Sequence, residues 1–184
     1  MLGWIIKQMR DWPEIKRLFK SMKNGSKTLV QGITGIQKPL LLAALWPELT
    51  GSLLLVTHSP SEAERLFLDL QGLINPCELS FFPAYDLLAH EEAYEEEVIG
   101  ARLSVLSKLV KNQRQLVVTS WSALSRRLIP PDVFRLYLQS LEVGQEAPRG
   151  ILFANLVRMG FERTEKIYTF GQFSVRGDIK KGKK

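Results

Sequence analysis

Apolar positions in this chain follow two rhythms, and the rhythms alternate. From Ser61 to Gly72, Ala63, Leu66, Phe67 and Leu70 recur at spacings of three and four, which predicts one buried face of a helix. Residues 91–111 repeat the pattern, with Ile99, Leu103, Leu106 and Val110 expected to point inward. Residues 4–23 read as one or two short helices carrying Ile15, Leu18 and Phe19 on one side. Asp11 is available as a cap, Pro13 lies in a first turn, and Asn24–Gly25 is a stop signal. Residues 38–46 form an apolar helix with Pro39 in its first turn. Between these stretches, "KTLVQ" (27–31), "GSLLLVTHS" (51–59), "ELSFFP" (78–83) and "QLVVTS" (115–120) are short, nearly continuous apolar runs. Such runs are expected of strands covered on both faces. A short helix reaching Arg127 closes the series.

Alternating strands and amphipathic helices predict a parallel sheet with helices on both faces. The pattern changes at "LIPPDVF" (128–134), where two prolines mark a junction. Beyond it the order is helix (131–137), strand (138–143), helix (149–159), strand (163–170) and strand (173–178), an α+β style. The expected architecture is thus an α/β domain with N-terminal helices over residues 1–127 and a small α+β domain over 128–184. The second covers under sixty residues and is expected to be incomplete.

Composition narrows the function. The 45% hydrophobic and 24% charged content of the 184 residues is that of an ordinary globular chain. No apolar run approaches the ~20 residues of a membrane helix, and the N-terminus is too interrupted by charge for a signal peptide. Cys77 is the one cysteine, and His58 and His90 are far apart, so neither a disulfide framework nor a zinc site is expected. A reducing, cytoplasmic setting fits. Two scattered histidines support no nucleophilic triad, and no catalytic residue is assigned. The Glu91–Glu97 cluster reads as a solvated helix start, and the four tryptophans as core or edge packing.

The net charge of +6 invites a nucleic-acid reading until it is located. Lys180, Lys181, Lys183 and Lys184 contribute +4, and the first 23 residues, with six basic and two acidic side chains, another +4. Subtracting both leaves residues 24–179 at −2. A DNA-binding face needs its cations clustered on the folded body, so only weak, nonspecific binding through the ends remains as a minor reading.

The stretch "TLVQGITGIQKPLLLAAL" (28–45) carries the strongest local signal. Gly32 and Lys38 have the separation of a phosphate loop, G-x-x-x-x-G-K-[ST], with Thr34 and Gly35 between them. Two elements are missing. Where the loop needs a glycine that lets its N–H groups converge on phosphate, the chain has Gln37. Where it needs a magnesium-binding hydroxyl, the chain has Pro39, which also lacks an N–H to offer at the helix start. The stretch is therefore either a vestigial phosphate loop (Gly32, Thr34, Gly35, Lys38) or a strand-to-helix turn with two glycines. Either way no bound cofactor is expected; an ATP-binding domain with an atypical loop is the alternative.

Beyond that loop, "LLLVTHSPSEAERLFLDL", "FFPAYDLLAHEEAYEEEVIGARLSVLSKL", "VVTSWSALSRRLIPP" and "LVRMGFERTEKIYTFGQFSVRGDI" follow one another in order. Over residues 25–179 this succession resembles the N-terminal region of the transcription-repair coupling factors (Mfd), a module similar to the excision-repair helicase UvrB. The resemblance implies a P-loop NTPase-like first domain whose phosphate loop is degenerate, as it is here, and whose role is not catalytic. It implies recruitment of UvrA to a stalled RNA polymerase in nucleotide excision repair. The ATP- and Mg-dependent DNA translocase, the polymerase contact and the duplex DNA contact would belong to other parts of the full-length protein, and no membrane is involved. UvrB's long DNA-inserting hairpin is missing: of its aromatic residues only Tyr85 and Tyr94 remain, so damage verification is not expected. The family continues past "VRGDI" with a strand of the type "LDIFP", where this chain has "KKGKK".

Carried over by position, the UvrA-contacting arginines are Arg176 in "FSVRGD" and, less directly, Arg163 in "GFERTEK". A guanidinium pairs with a carboxylate through two hydrogen bonds, which lysine cannot copy. The competing reading for each is a solvated charge, or one paired with Glu162, Glu165 or Asp178. Phe173 is expected in the core, alternating with Ser174 and Arg176.

Overall fold

The computed structural model of the chain describes residues 2–85, 92–138, 148–168 and 171–175. The chain divides into two compact units, residues 1–86 with 101–128, and residues 87–100 with 129–184.

The first unit opens with α1 (Leu2–Arg10) and α2 (Pro13–Lys23). Pro13 starts α2 with its φ already helical, and Gly25, at φ +67°, ends it in the left-handed conformation that a side chain disfavours. Next come α3 (Gln37–Leu45), a 3-10 turn (Trp46–Glu48), β1 (Leu53–Thr57), α4 (Pro60–Gln71) and β2 (Leu79–Phe82). Helix α5 (Glu92–Val110), of which only 101–110 belong to this unit, β3 (Leu116–Ser120) and the short α6 (Trp121–Leu124) follow. The strands form one parallel sheet in the order β1-β3-β2, with β3 central and all five of its residues buried. Register is set by Leu53 and Leu79, both opposite Leu116.

Each face of the sheet has its own cover. Leu116, Val118 and Leu79 meet Ala63 and Leu70 of α4 and Ala43, Ala44 and Trp46 from the segment before β1. On the other face Val117 and Phe82 pack on Val105 of α5 and Ala123 of α6. Leu54 and Val56, on the same side as Val117 by register, stay about half exposed. Gln115 and Glu78 organise the polar contacts at the start of β2 and β3. Gln115 accepts from Ser80 Oγ (2.7 Å) and donates to the carbonyl of Cys77 (2.9 Å). Arg114 lies over the Trp46 ring at 3.7 Å, and both it and Trp46 Nε1 donate to the Glu78 carboxylate.

Three sequence expectations are corrected here. The run 27–31 is not a strand: it has no ladder partner among the described residues, and Leu29 is 81% exposed. The buried stripe of α5 passes through Val98, Arg102 and Val105, while Ile99 and Leu103 are exposed. The cause is Arg102, which is buried in place of an apolar residue. Its guanidinium lies 4.0 Å from the Phe82 ring centre and 4.6 Å from that of Tyr85, and donates to the carbonyls of Pro83 (2.7 Å) and Ala123 (3.3 Å). Of the four tryptophans only Trp46 is core; Trp4, Trp12 and Trp121 are each more than half exposed.

In the second unit α7 (Pro131–Tyr137) precedes α8 (Arg149–Arg158). Gly160, at φ +89°, stops α8, and Phe161 N–H returns to the carbonyl of Leu156 (2.9 Å), closing the helix end. The strands here are shorter than their apolar runs suggest: β4 is Glu162–Arg163 and β5 is Gln172–Phe173, paired in parallel. Leu138 is not in a strand, and the rest of 138–143 lies outside the described residues, as do Thr169, Phe170 and 176–178. Phe173 is buried and stacks on Phe153, ring centres 5.8 Å apart.

Candidate functional site

Two places carry the candidate residues. One is the junction of the preceding loop with α3, where Gly32, Thr34 and Gly35 lie in the loop and Lys38 in the first turn of the helix. Gly32 (φ +79°) and Gly35 (φ +52°) take conformations that a Cβ would strain. The residues that depart from the phosphate-loop pattern close this turn on itself. Gln37 Oε1 accepts from the Thr34 N–H at 3.0 Å, and the Gln37 N–H donates to the Thr34 carbonyl at 3.1 Å. The Lys38 N–H donates to the carbonyl of Gly35 at 3.3 Å. Pro39 is buried and leaves no amide at the helix start.

The Lys38 ammonium also has a partner. Its Nζ lies 3.1 Å from Glu62 Oε1 of α4, with both side chains partly solvated. Ser59 caps α4 by accepting from the Glu62 N–H at 3.2 Å, which fixes the start of the helix and the direction in which Glu62 leaves it. The hydrogen bond from Lys38 holds the Glu62 carboxyl below the usual carboxylate range, against the opposing effect of burial. The recess beside the pair holds about 40 Å³ and is lined by Gly35, Lys38, Pro39, Glu62, Arg65 and Asp69 among others. Small-molecule sites run to several hundred cubic ångströms.

Glu62 and the inward turn of the Gln37 amide do not emerge from a motif search. One signal exists for Glu62: serine followed three residues later by glutamate is a helix-start signature. It locates the residue on the first turn of α4 without saying that Lys38 will meet it.

The other place is the end of the second unit. Arg163 sits on β4, exposed, directly across the β4–β5 pair from Phe173. Among the described residues no carboxylate pairs with it. Glu162 N–H and Thr164 N–H donate to the carbonyls of Gly171 (2.8 Å) and Phe173 (2.9 Å), which fixes the backbone on both sides of Arg163. Arg176 lies outside the described residues, so the two arginines are not placed relative to each other. Among the described residues there is no group of three or more His, Cys, Asp and Glu side chains that could hold a metal ion. No described helix is long and apolar enough to cross a membrane.

Comparison with known proteins picks out the same region. A family model described as the UvrB interaction domain matches residues 139–180, a span that contains both arginines. The transcription-repair-coupling factor of Bacillus subtilis (strain 168) is 29% identical over 167 residues, covering 88% of this chain. That of Staphylococcus aureus (strain USA300) is 25% identical over 180 residues, covering 97% of it. The chain spans only 14% and 15% of the length of these two relatives. Nearly all of the chain is thus similar to a stretch of the transcription-repair-coupling factors, and its residues 139–180 are similar to the UvrB interaction domain.

Proposed function

We propose that this chain is a non-catalytic docking module that recruits UvrA during transcription-coupled repair, and that residues 128–184 carry the contact. The observation behind this reading is the match of residues 139–180 to the UvrB interaction domain, within a chain that aligns to transcription-repair coupling factors almost throughout. Arg176 and Arg163 are the contact residues, pairing with carboxylates of UvrA through their planar donor forks. Exposure of Arg163 opposite a buried Phe173 is compatible with such a role.

The first domain, 1–127, is read as a P-loop NTPase-like scaffold that no longer uses nucleotide. The way Gln37, Pro39 and Glu62 engage the loop supports that reading. The chain has no cofactor of its own in this account. ATP and magnesium belong to the motor of the full-length family, and RNA polymerase and duplex DNA are met through parts beyond this chain, in the cytoplasm.

Binding of purified UvrA to this chain, followed by calorimetry, tests the proposal. Arg176→Ala should weaken binding by ~30-fold, corresponding to the ~2 kcal/mol of an arginine near an interface centre. Arg163→Ala should weaken it less. Affinity unchanged in the Arg176 variant, with its fold intact by circular dichroism, would rule this contact out.

A further inference from the structure

We propose that Glu62 is an intramolecular occupant of the phosphate position: an autoinhibitory carboxylate, supplied by α4, that commits Lys38 to an internal contact. This inference rests on reading residues 32–38 as a former phosphate loop.

The motif accounts for two lesions, Gln37 and Pro39, and both are local. Reversing them would give G-I-T-G-I-G-K-S over residues 32–39, the complete pattern of a phosphate loop. The structure adds a third obstacle that no motif contains, 24 residues further along the chain. In a working loop the lysine ammonium is a point charge directed at phosphate oxygens. Here that ammonium is 3.1 Å from Glu62 Oε1, an anionic oxygen of the same kind as its former ligand. Gln37 repeats the substitution on the backbone: its amide oxygen accepts the Thr34 N–H at 3.0 Å, where a phosphate oxygen would accept from the loop. The carboxylate has two effects on an incoming polyanion. It competes for Lys38, and it repels negative charge from a recess of only about 40 Å³. Glu62 is held in place for this by the Ser59 cap and its contact with the backbone of His58.

The loop should therefore regain oxyanion affinity only in part when its motif is repaired, and further when Glu62 is neutralised. The test compares Gln37→Gly/Pro39→Ser with the same pair plus Glu62→Gln, each titrated calorimetrically with inorganic pyrophosphate and Mg2+. Circular dichroism establishes that both are folded, and Glu62→Ala serves as a second neutral variant should Glu62→Gln fail to fold. The three-substitution chain is expected to bind pyrophosphate more tightly, by up to about fivefold, the upper effect of one partly exposed ion pair. Equal binding by the two variants would overturn the role of Glu62 while leaving the loop's ancestry standing. No binding by either would overturn both, and the UvrA titration above is independent of each result.

Discussion

Arg102 and Lys38 show how much the environment of one charged residue decides its role. Arg102 is buried between the rings of Phe82 and Tyr85, with two carbonyl acceptors. Burial lowers its pKa, and the neighbouring charge of Arg126 adds to that effect. Truncating it would leave the Pro83 and Ala123 carbonyls unpaired beside a cavity. Arg102→Ala should cost about 2–3 kcal/mol in urea denaturation. Lysine should not restore this, because it lacks the planar face and the fork of donors. Lys38 makes an exposed pair with Glu62, and the pH dependence follows from the sign of the Glu62 shift. A carboxyl held below its ordinary value of 4.5 contributes stability above that pH, and the contribution is lost as pH falls through its folded value. Wild type should therefore melt slightly above Glu62→Gln at pH 7, and the difference should shrink as pH falls below 4.5. A gap that persists in acid would mean that Glu62 acts through packing.

Among the elements, helix α4 and the segment 27–31 mark the two extremes of legibility. The apolar positions of α4 are readable from spacing, and Ala63 and Leu70 are fully buried where the period of 3.6 puts them. The run "KTLVQ" has equal strand character, but a strand also needs a neighbour with which to share hydrogen bonds. Neither edge of the sheet supplies one here, so Leu29 projects into solvent. Stability measurements should separate the two segments. Leu70→Ala is expected to cost 2–5 kcal/mol, whereas Leu29→Ser should stay within about 0.5 kcal/mol. Helix α5 lies between these cases. Its existence is evident from periodicity, but its buried stripe is not, because a pattern search puts apolar residues inside and has no means of choosing an arginine.

For the molecule as a whole, charge and connectivity set the terms. Basic residues are concentrated at the two ends, leaving 24–179 at −2, so any DNA binding should be weak and strongly salt-dependent. Removing residues 180–184 should lower the slope of log affinity against log salt; an unchanged slope would move the contact onto the folded body. What could be read directly from the order of residues was everything repeating over a few positions: α/β character, most helices, the three strands of the sheet, and a phosphate-loop pattern with two defects. Those features are local, because side-chain direction along a helix or strand is set by backbone geometry within that element. Pairing depended on the folded chain: β3 entering between β1 and β2, 27–31 left without a ladder, Arg102 turned inward, and Lys38 meeting Glu62. Each is a contact between segments far apart in the chain, and its free energy exists only once folding has brought both partners together.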